Sequence, residues 1–187
     1  MKVKVKFAND EVKELYLKAS DNKSTFPFKT YDDDFCYDVV ATSCEEVAPN
    51  VYKYGVGLAF QIERCRETIE NDMRFVHEDG THLGYIPVKE WNLLYSSIKL
   101  SIDARPRSSV WKTGMSLSNC EGTIDEGFID NVSMVYYHLM PNMPKYEVGD
   151  KIGQIKIGVT FPITFVEVEE LNKTKRGTNG YGSTNVK

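Results

Sequence analysis

Apolar and polar residues alternate with a period of two along much of the chain, the signature of strands with one wet face. At the start, Lys2, Lys4 and Lys6 interleave with Val3, Val5 and Phe7. Val39 to Thr42 reads as a short strand, and Val51 to Ile62 as strand–turn–strand around Gly55 and Gly57. Lys99 to Asp103, Val132 to Leu139 and the run beginning at Ile152 continue the alternation. Ile163 to Leu171 reads as a last strand or an extended run. Met73 to Ile86 carries the best short hairpin signal, Asp79-Gly80, and Pro87 to Tyr95 reads as a helical turn bearing Trp91. Asp10 to Leu17 fits either a short helical turn or an irregular link. Polar stretches with Pro27 and with Pro141 and Pro144 are loops. The pattern predicts an all-β chain.

Composition agrees. The 187 residues are 41% hydrophobic and 12% aromatic, enough for one globular domain with a sizeable core. The formal net charge of −4 argues against nucleic acid or an anionic membrane as the main partner. An anionic ligand must therefore be held by a few placed cations. The four cysteines, Cys36, Cys44, Cys65 and Cys120, include no CxxC pair and follow no secretory signal, so free thiols in a reducing cytoplasm are expected. No apolar run is long enough to span a bilayer. His77 and His82 flank the Asp-Gly turn, but they and Cys65 meet no metal-ligand spacing.

Five polar stretches carry candidate chemistry. Gly122-Thr123-Ile124-Asp125-Glu126-Gly127-Phe128 has the grammar of a β-hairpin whose backbone can read a heterocycle edge while Asp125 holds a water; alone, it reads sooner as an ordinary hairpin with a surface acid. Asn119, which opens it, offers an amide donor and acceptor suited to a pyrimidine edge. Arg107, Ser108 and Ser109 suit phosphate oxygens. Asp38, between Tyr37 and a strand, is expected to be partly buried and to need a partner, either a backbone group or a hydrated cation. Gln154 follows a Gly149-Asp150 turn and faces either solvent or a cleft. The end of the chain, with Arg176, Tyr181, Gly182, Ser183 and Thr184, cannot build core and reads as a disordered end or a flexible lid.

In this order, Tyr37-Asp38, Arg105 to Ser109, Asn119 to Phe128, Gly149 to Gln154 and Arg176 to Thr184 resemble the five motifs of the trimeric deoxyuridine triphosphate nucleotidohydrolases (dUTPases). The likeness runs from the first strand to the tail, apart from an insertion at about 63–98. It implies a distorted jelly-roll β domain over 1–175, a Gly-rich segment over 176–187 that closes the site, and a homotrimer with sites shared between subunits. The implied reaction is Mg²⁺-dependent hydrolysis of dUTP to dUMP and pyrophosphate. Asp125 would be the general base; Asn119 with Gly122, Thr123 and Ile124 would read uracil; Phe128 would pack under the deoxyribose. Arg107, Ser108, Ser109 and Gln154 would hold phosphates, and Asp38 would meet the water shell of the Mg²⁺. Arg176, Gly182, Ser183 and Thr184 would clamp the terminal phosphate, with Tyr181 over the base.

The chain departs from the family pattern at Phe128 (usually Tyr), Ile129-Asp130 (usually Arg-Gly), Tyr181 (usually Phe) and Asn185 (usually Gly). None of these removes a catalytic group. Two alternatives share the fold: a dCTP deaminase-type relative, and a nucleotide-switched binding protein whose 63–98 insertion contacts a protein partner.

Overall fold

The computed structural model describes residues 2–24, 26–63, 73–76, 82–87, 89–90 and 96–177, with 73–76 and 82–86 described by backbone alone. Two four-stranded antiparallel sheets share one core. The first has the order β10-β8-β12-β2, from Gly122–Asp125, Lys99–Pro106, Lys151–Thr160 and Tyr37–Val40. The second has the order β3-β4-β11-β9, from Ser43–Ala48, Val51–Gly55, Ser133–His138 and Met115–Leu117. Between them lie Val39, Ile102, Ile152 and Ile155 from the first sheet and Tyr54, Leu117, Met134 and Tyr136 from the second. The alternation predicted an all-β chain, and this sandwich is the distorted jelly roll that the family resemblance implies. β1 (Lys2–Phe7) pairs with β5 (Leu58–Glu63), and β6 (Met73–Val76) with β7 (His82–Ile86).

The expected hairpin at 73–86 is present, with its Asp79-Gly80 turn outside the described residues. Of the helical turn expected over 87–95, positions 89–90 are helical and Trp91 lies outside the described residues. The ambiguous stretch after β1 is a helix, α1 (Asp10–Ala19). Asn9 caps it by accepting from Val12 N–H at 3.0 Å, and Asp10 and Glu11 suit the positive end of its dipole. It buries Val12 and Tyr16, and the Tyr16 hydroxyl donates to Val56 C=O while accepting from Val40 N–H, both at 3.2 Å. Tyr16 thereby ties the link between β4 and β5 to β2.

Two expectations change. β4 and β5 flank Gly55 and Gly57 as expected, but they enter different sheets instead of pairing. The stretch Gly122 to Phe128 is not a hairpin either: β10 pairs with β8 alone, and β11 belongs to the other sheet. A turn closed by Phe128 N–H on Asp125 C=O (2.9 Å) ends the strand. Phe128, Ile129, Asp130 and Asn131 that follow are all exposed, so they offer no alternating apolar face on which to fold back. The chain crosses to the second sheet and re-enters the core at Val132.

Ile163 to Leu171 forms no strand. Residues 161–177 run out from β12 exposed, including Phe161, Ile163, Phe165 and Leu171.

Candidate active site

Two groups of candidate residues are assembled at different corners of the first sheet. The first is centred on Asp38. It sits on β2 and is only 3% exposed, where a carboxylate must be compensated. Its side-chain partners are not backbone groups. Arg107 Nε donates to Oδ1 at 3.0 Å, Gln154 Nε2 donates to the same oxygen at 3.3 Å, and Lys151 Nζ lies 3.9 Å from Oδ2. Gln154 therefore faces this cluster. Lys151 was not singled out from sequence. A β-bulge between Lys151 and Gly153 resets the alternation and lets both Lys151 and Gln154 reach Asp38. The available signal was the charge directly after the Gly149-Asp150 turn.

Arg107 precedes a 3-10 helix, Ser108–Thr113, on which Ser108 is exposed and Ser109 half-buried. Behind it stands a wall of buried tyrosines. Tyr146 packs edge-on to Tyr54 and Tyr136, with ring centroids 6.1 and 5.5 Å away. Burial pushes the Tyr146 hydroxyl pKa up, against the pull of Thr113 and of the Arg107 charge.

The second group surrounds a cavity of about 280 Å³ lined by Asn119, Gly122 to Asp125, Phe128 and Asn131, with Met134 and Val135 at its inner side. That is small for a ligand pocket and suits a nucleoside better than a whole nucleoside triphosphate. Gly122 packs closely here: a Cβ would lie 3.1 Å from the Asn119 amide nitrogen and would press on that side chain. Cys120, with φ 56°, makes the tight corner between them. Asn119, Asp125 and Phe128 are exposed at the cavity rim.

Within one chain these groups stay apart. Asp125 pairs with Ser101, which pairs with Gly158, whereas Asp38 pairs with Gln154. Three strand spacings and four residues along β12 separate the two carboxylates, roughly 19 Å. Arg176 lies at the end of the exposed 161–177 run, and Tyr181, Gly182, Ser183 and Thr184 lie outside the described residues.

No protein-family model matches the sequence. The chain is 38% identical over 104 residues to the deoxyuridine 5'-triphosphate nucleotidohydrolase of Clostridium novyi, an alignment spanning 52% of this chain and 73% of that protein. Among solved structures, a mutant dUTPase of Staphylococcus bacteriophage 80alpha with bound dUpNHpp is similar over 99% of both chains, with a TM-score of 0.63 and 16% identity. A mutant dUTPase from phage phi11 of S. aureus, described with a structural Mg(II) ion, matches over 92% of this chain and all of that one, with a TM-score of 0.54 and 14% identity. At such identities the two structures speak for the fold. The similarity that decides the family is the 38% identity across 73% of the Clostridium protein. The chain belongs to the dUTPase family.

Proposed function

We propose that this chain hydrolyses dUTP to dUMP and pyrophosphate, by attack of water on the α-phosphorus. The observation that carries this reading is the small cavity whose rim holds both a carboxylate, Asp125, and a pyrimidine-reading amide, Asn119. Uracil enters between Asn119 and the β10 backbone, and Phe128 packs under the sugar. Asp125, exposed at the rim, takes the proton from the attacking water as general base. Arg107, Ser108, Ser109 and Gln154 bind the phosphates.

Among the described residues no group of three His, Cys, Asp or Glu could hold a metal ion alone. In the proposed reaction Mg²⁺ is carried by the triphosphate, with Asp38 touching only its water shell. Such an ion, when bound, neutralises phosphate charge. The roughly 19 Å between Asp125 and Asp38 favours a homotrimer in which the base cavity of one copy meets the phosphate cluster of the next. Residues 1–175 form the body, and Arg176, Tyr181, Gly182, Ser183 and Thr184 close over the substrate. The insertion at about 63–98 is a decoration of the surface; a pull-down with and without it tests the alternative that it binds a protein partner.

Pyrophosphate release from dUTP, dCTP and dTTP, with Mg²⁺ and with a chelator, tests the reading. Release from dUTP alone, dependent on Mg²⁺, is expected. Asp125→Asn should lower the rate about 10²–10⁴-fold. Ammonia from dCTP without pyrophosphate would point instead to the deaminase-type relative. Comparable release from dTTP would mean that the cavity does not read uracil.

A further inference from the structure

On the outer face of the first sheet, the described ion pairs differ in how firmly they are held. Arg107 and Lys151 share Asp38, whose side chain is 4% exposed. Lys156 holds Asp103, with side chains 16% and 11% exposed. Arg105 holds Glu121 through two nitrogens, one of them Nε at 2.5 Å, yet both side chains are largely in water, 47% and 41% exposed. Breaking a buried pair costs several kcal/mol, whereas an exposed one is worth about 0.2–1 kcal/mol. Arg105 is therefore the cation on this face most cheaply released.

It is also well placed. Arg105 on β8 pairs in register with Gln154 on β12, which pairs with Asp38 on β2. Directly paired residues project from the same face, so the Arg105, Gln154 and Asp38 side chains form one row. Arg107 follows two residues later and bonds Asp38 at the end of that row. The guanidinium of Arg105 thus borders the cluster already read as binding phosphate. Arg105 opens the stretch Arg105 to Ser109, in which only Arg107, Ser108 and Ser109 have been given a role.

We propose that Arg105 is a further phosphate-binding residue, held by Glu121 until a polyphosphate anion displaces the carboxylate. The exchange is favourable because a polyphosphate carries several negative charges and accepts the guanidinium fork in bidentate fashion. It brings a third cation to the phosphates while the Arg107–Asp38 and Lys156–Asp103 pairs stay intact. This inference rests on the phosphate-site reading above.

The test compares wild type, Arg105→Gln, Arg105→Lys, Glu121→Gln and the Arg105→Gln/Glu121→Gln double variant, by KM and kcat for dUTP and by calorimetric binding of inorganic pyrophosphate. Arg105→Gln should raise KM and the pyrophosphate Kd about tenfold, with kcat nearly unchanged. Arg105→Lys should recover part of the loss. Glu121→Gln, by freeing Arg105, should tighten both values, and the double variant should match Arg105→Gln alone. Pyrophosphate binding by Arg105→Gln equal to wild type would overturn the proposal. So would Glu121→Gln weakening binding as much as Arg105→Gln does, since the pair would then serve to hold the Asn119 loop. A wild-type protein that neither turns over dUTP nor binds pyrophosphate would overturn the functional reading itself, and this inference with it.

Discussion

Asp103 shows how one residue can tie stability to pH. Only 8% exposed on β8, it accepts from Lys156 Nζ at 2.5 Å and from Ser101 Oγ at 2.9 Å. Gly158 makes room for the group: a Cβ there would lie 2.6 Å from an Asp103 oxygen. Burial pushes the Asp103 pKa up, but the hydrogen bonds from Lys156 and Ser101 and the charges of Lys156 and Arg105 outweigh it, and the net shift is downward from 3.8. A depressed carboxylate adds stability that is fully present above its unfolded pKa and is lost as pH falls through its folded value. Asp103→Asn should cost about 3 kcal/mol at neutral pH, because it leaves the Lys156 charge buried and unpaired. Urea melts at pH 7 and at steps below pH 4 measure both effects. The variant should lack the part of the acid slope that Asp103 supplies; an unchanged slope would refute the assignment.

At the scale of the element, β12 matters most, since it is the inner strand that joins the phosphate cluster to the core. It pairs with β8 over Gly153 to Thr160 and with β2 over Lys151 to Ile155. Its glycine at 153 is a packing device. A Cβ there would meet Met134 Sδ at 2.5 Å and the Arg105 carbonyl oxygen at 3.1 Å. Met134 also lines the nucleoside cavity, so the strand is coupled to the site through one side chain. Gly153→Ala should push Met134 outward, lower stability by about 1–3 kcal/mol and raise KM for dUTP. Thermal melting and steady-state kinetics check the two parts separately. A variant with altered stability but unchanged KM would show that Met134 accommodates the methyl without narrowing the cavity.

For the whole molecule, the proposed function makes the single chain an incomplete site. The cavity beside Asp125 and the cluster around Asp38 do not meet, and the 161–177 run leaves Phe161, Ile163, Phe165 and Leu171 in water. An apolar run of this kind is expected to be covered on assembly. Light scattering should therefore give the mass of three chains. Deleting 176–187 should leave that assembly intact but abolish most turnover, since an Arg on a transferring phosphate is worth roughly 10³–10⁵ in rate. Trimers refolded from a mixture of this deletion and Asp125→Asn should regain activity above either parent, because some sites then combine an intact Asp125 with an intact tail. Mixed trimers, confirmed by mass, that recover nothing would rule out the shared site.

Local alternation was enough to read most strands, because a period of two reports which face of a strand is buried, and that information lies within a few residues. The order of chemistry-bearing stretches was enough for the family, because those residue types must recur wherever the same groups are bound. α1 stayed ambiguous in sequence: its cap, Asn9, is informative only once Val12 and Tyr16 have a core to face. Apart from the local β6–β7 hairpin, pairing could not be read. Asp38 meets Arg107 from 69 residues away and Gln154 from 116. The Gly122 to Asp125 strand looked like half a hairpin, and its partner proved to be β8 alone. Alternation says that a face is buried but not which strand lies beside it. That choice is made by the global packing of two sheets, and it alone decided that Asp38, Arg107 and Gln154 form one cluster while Asn119 and Asp125 line another.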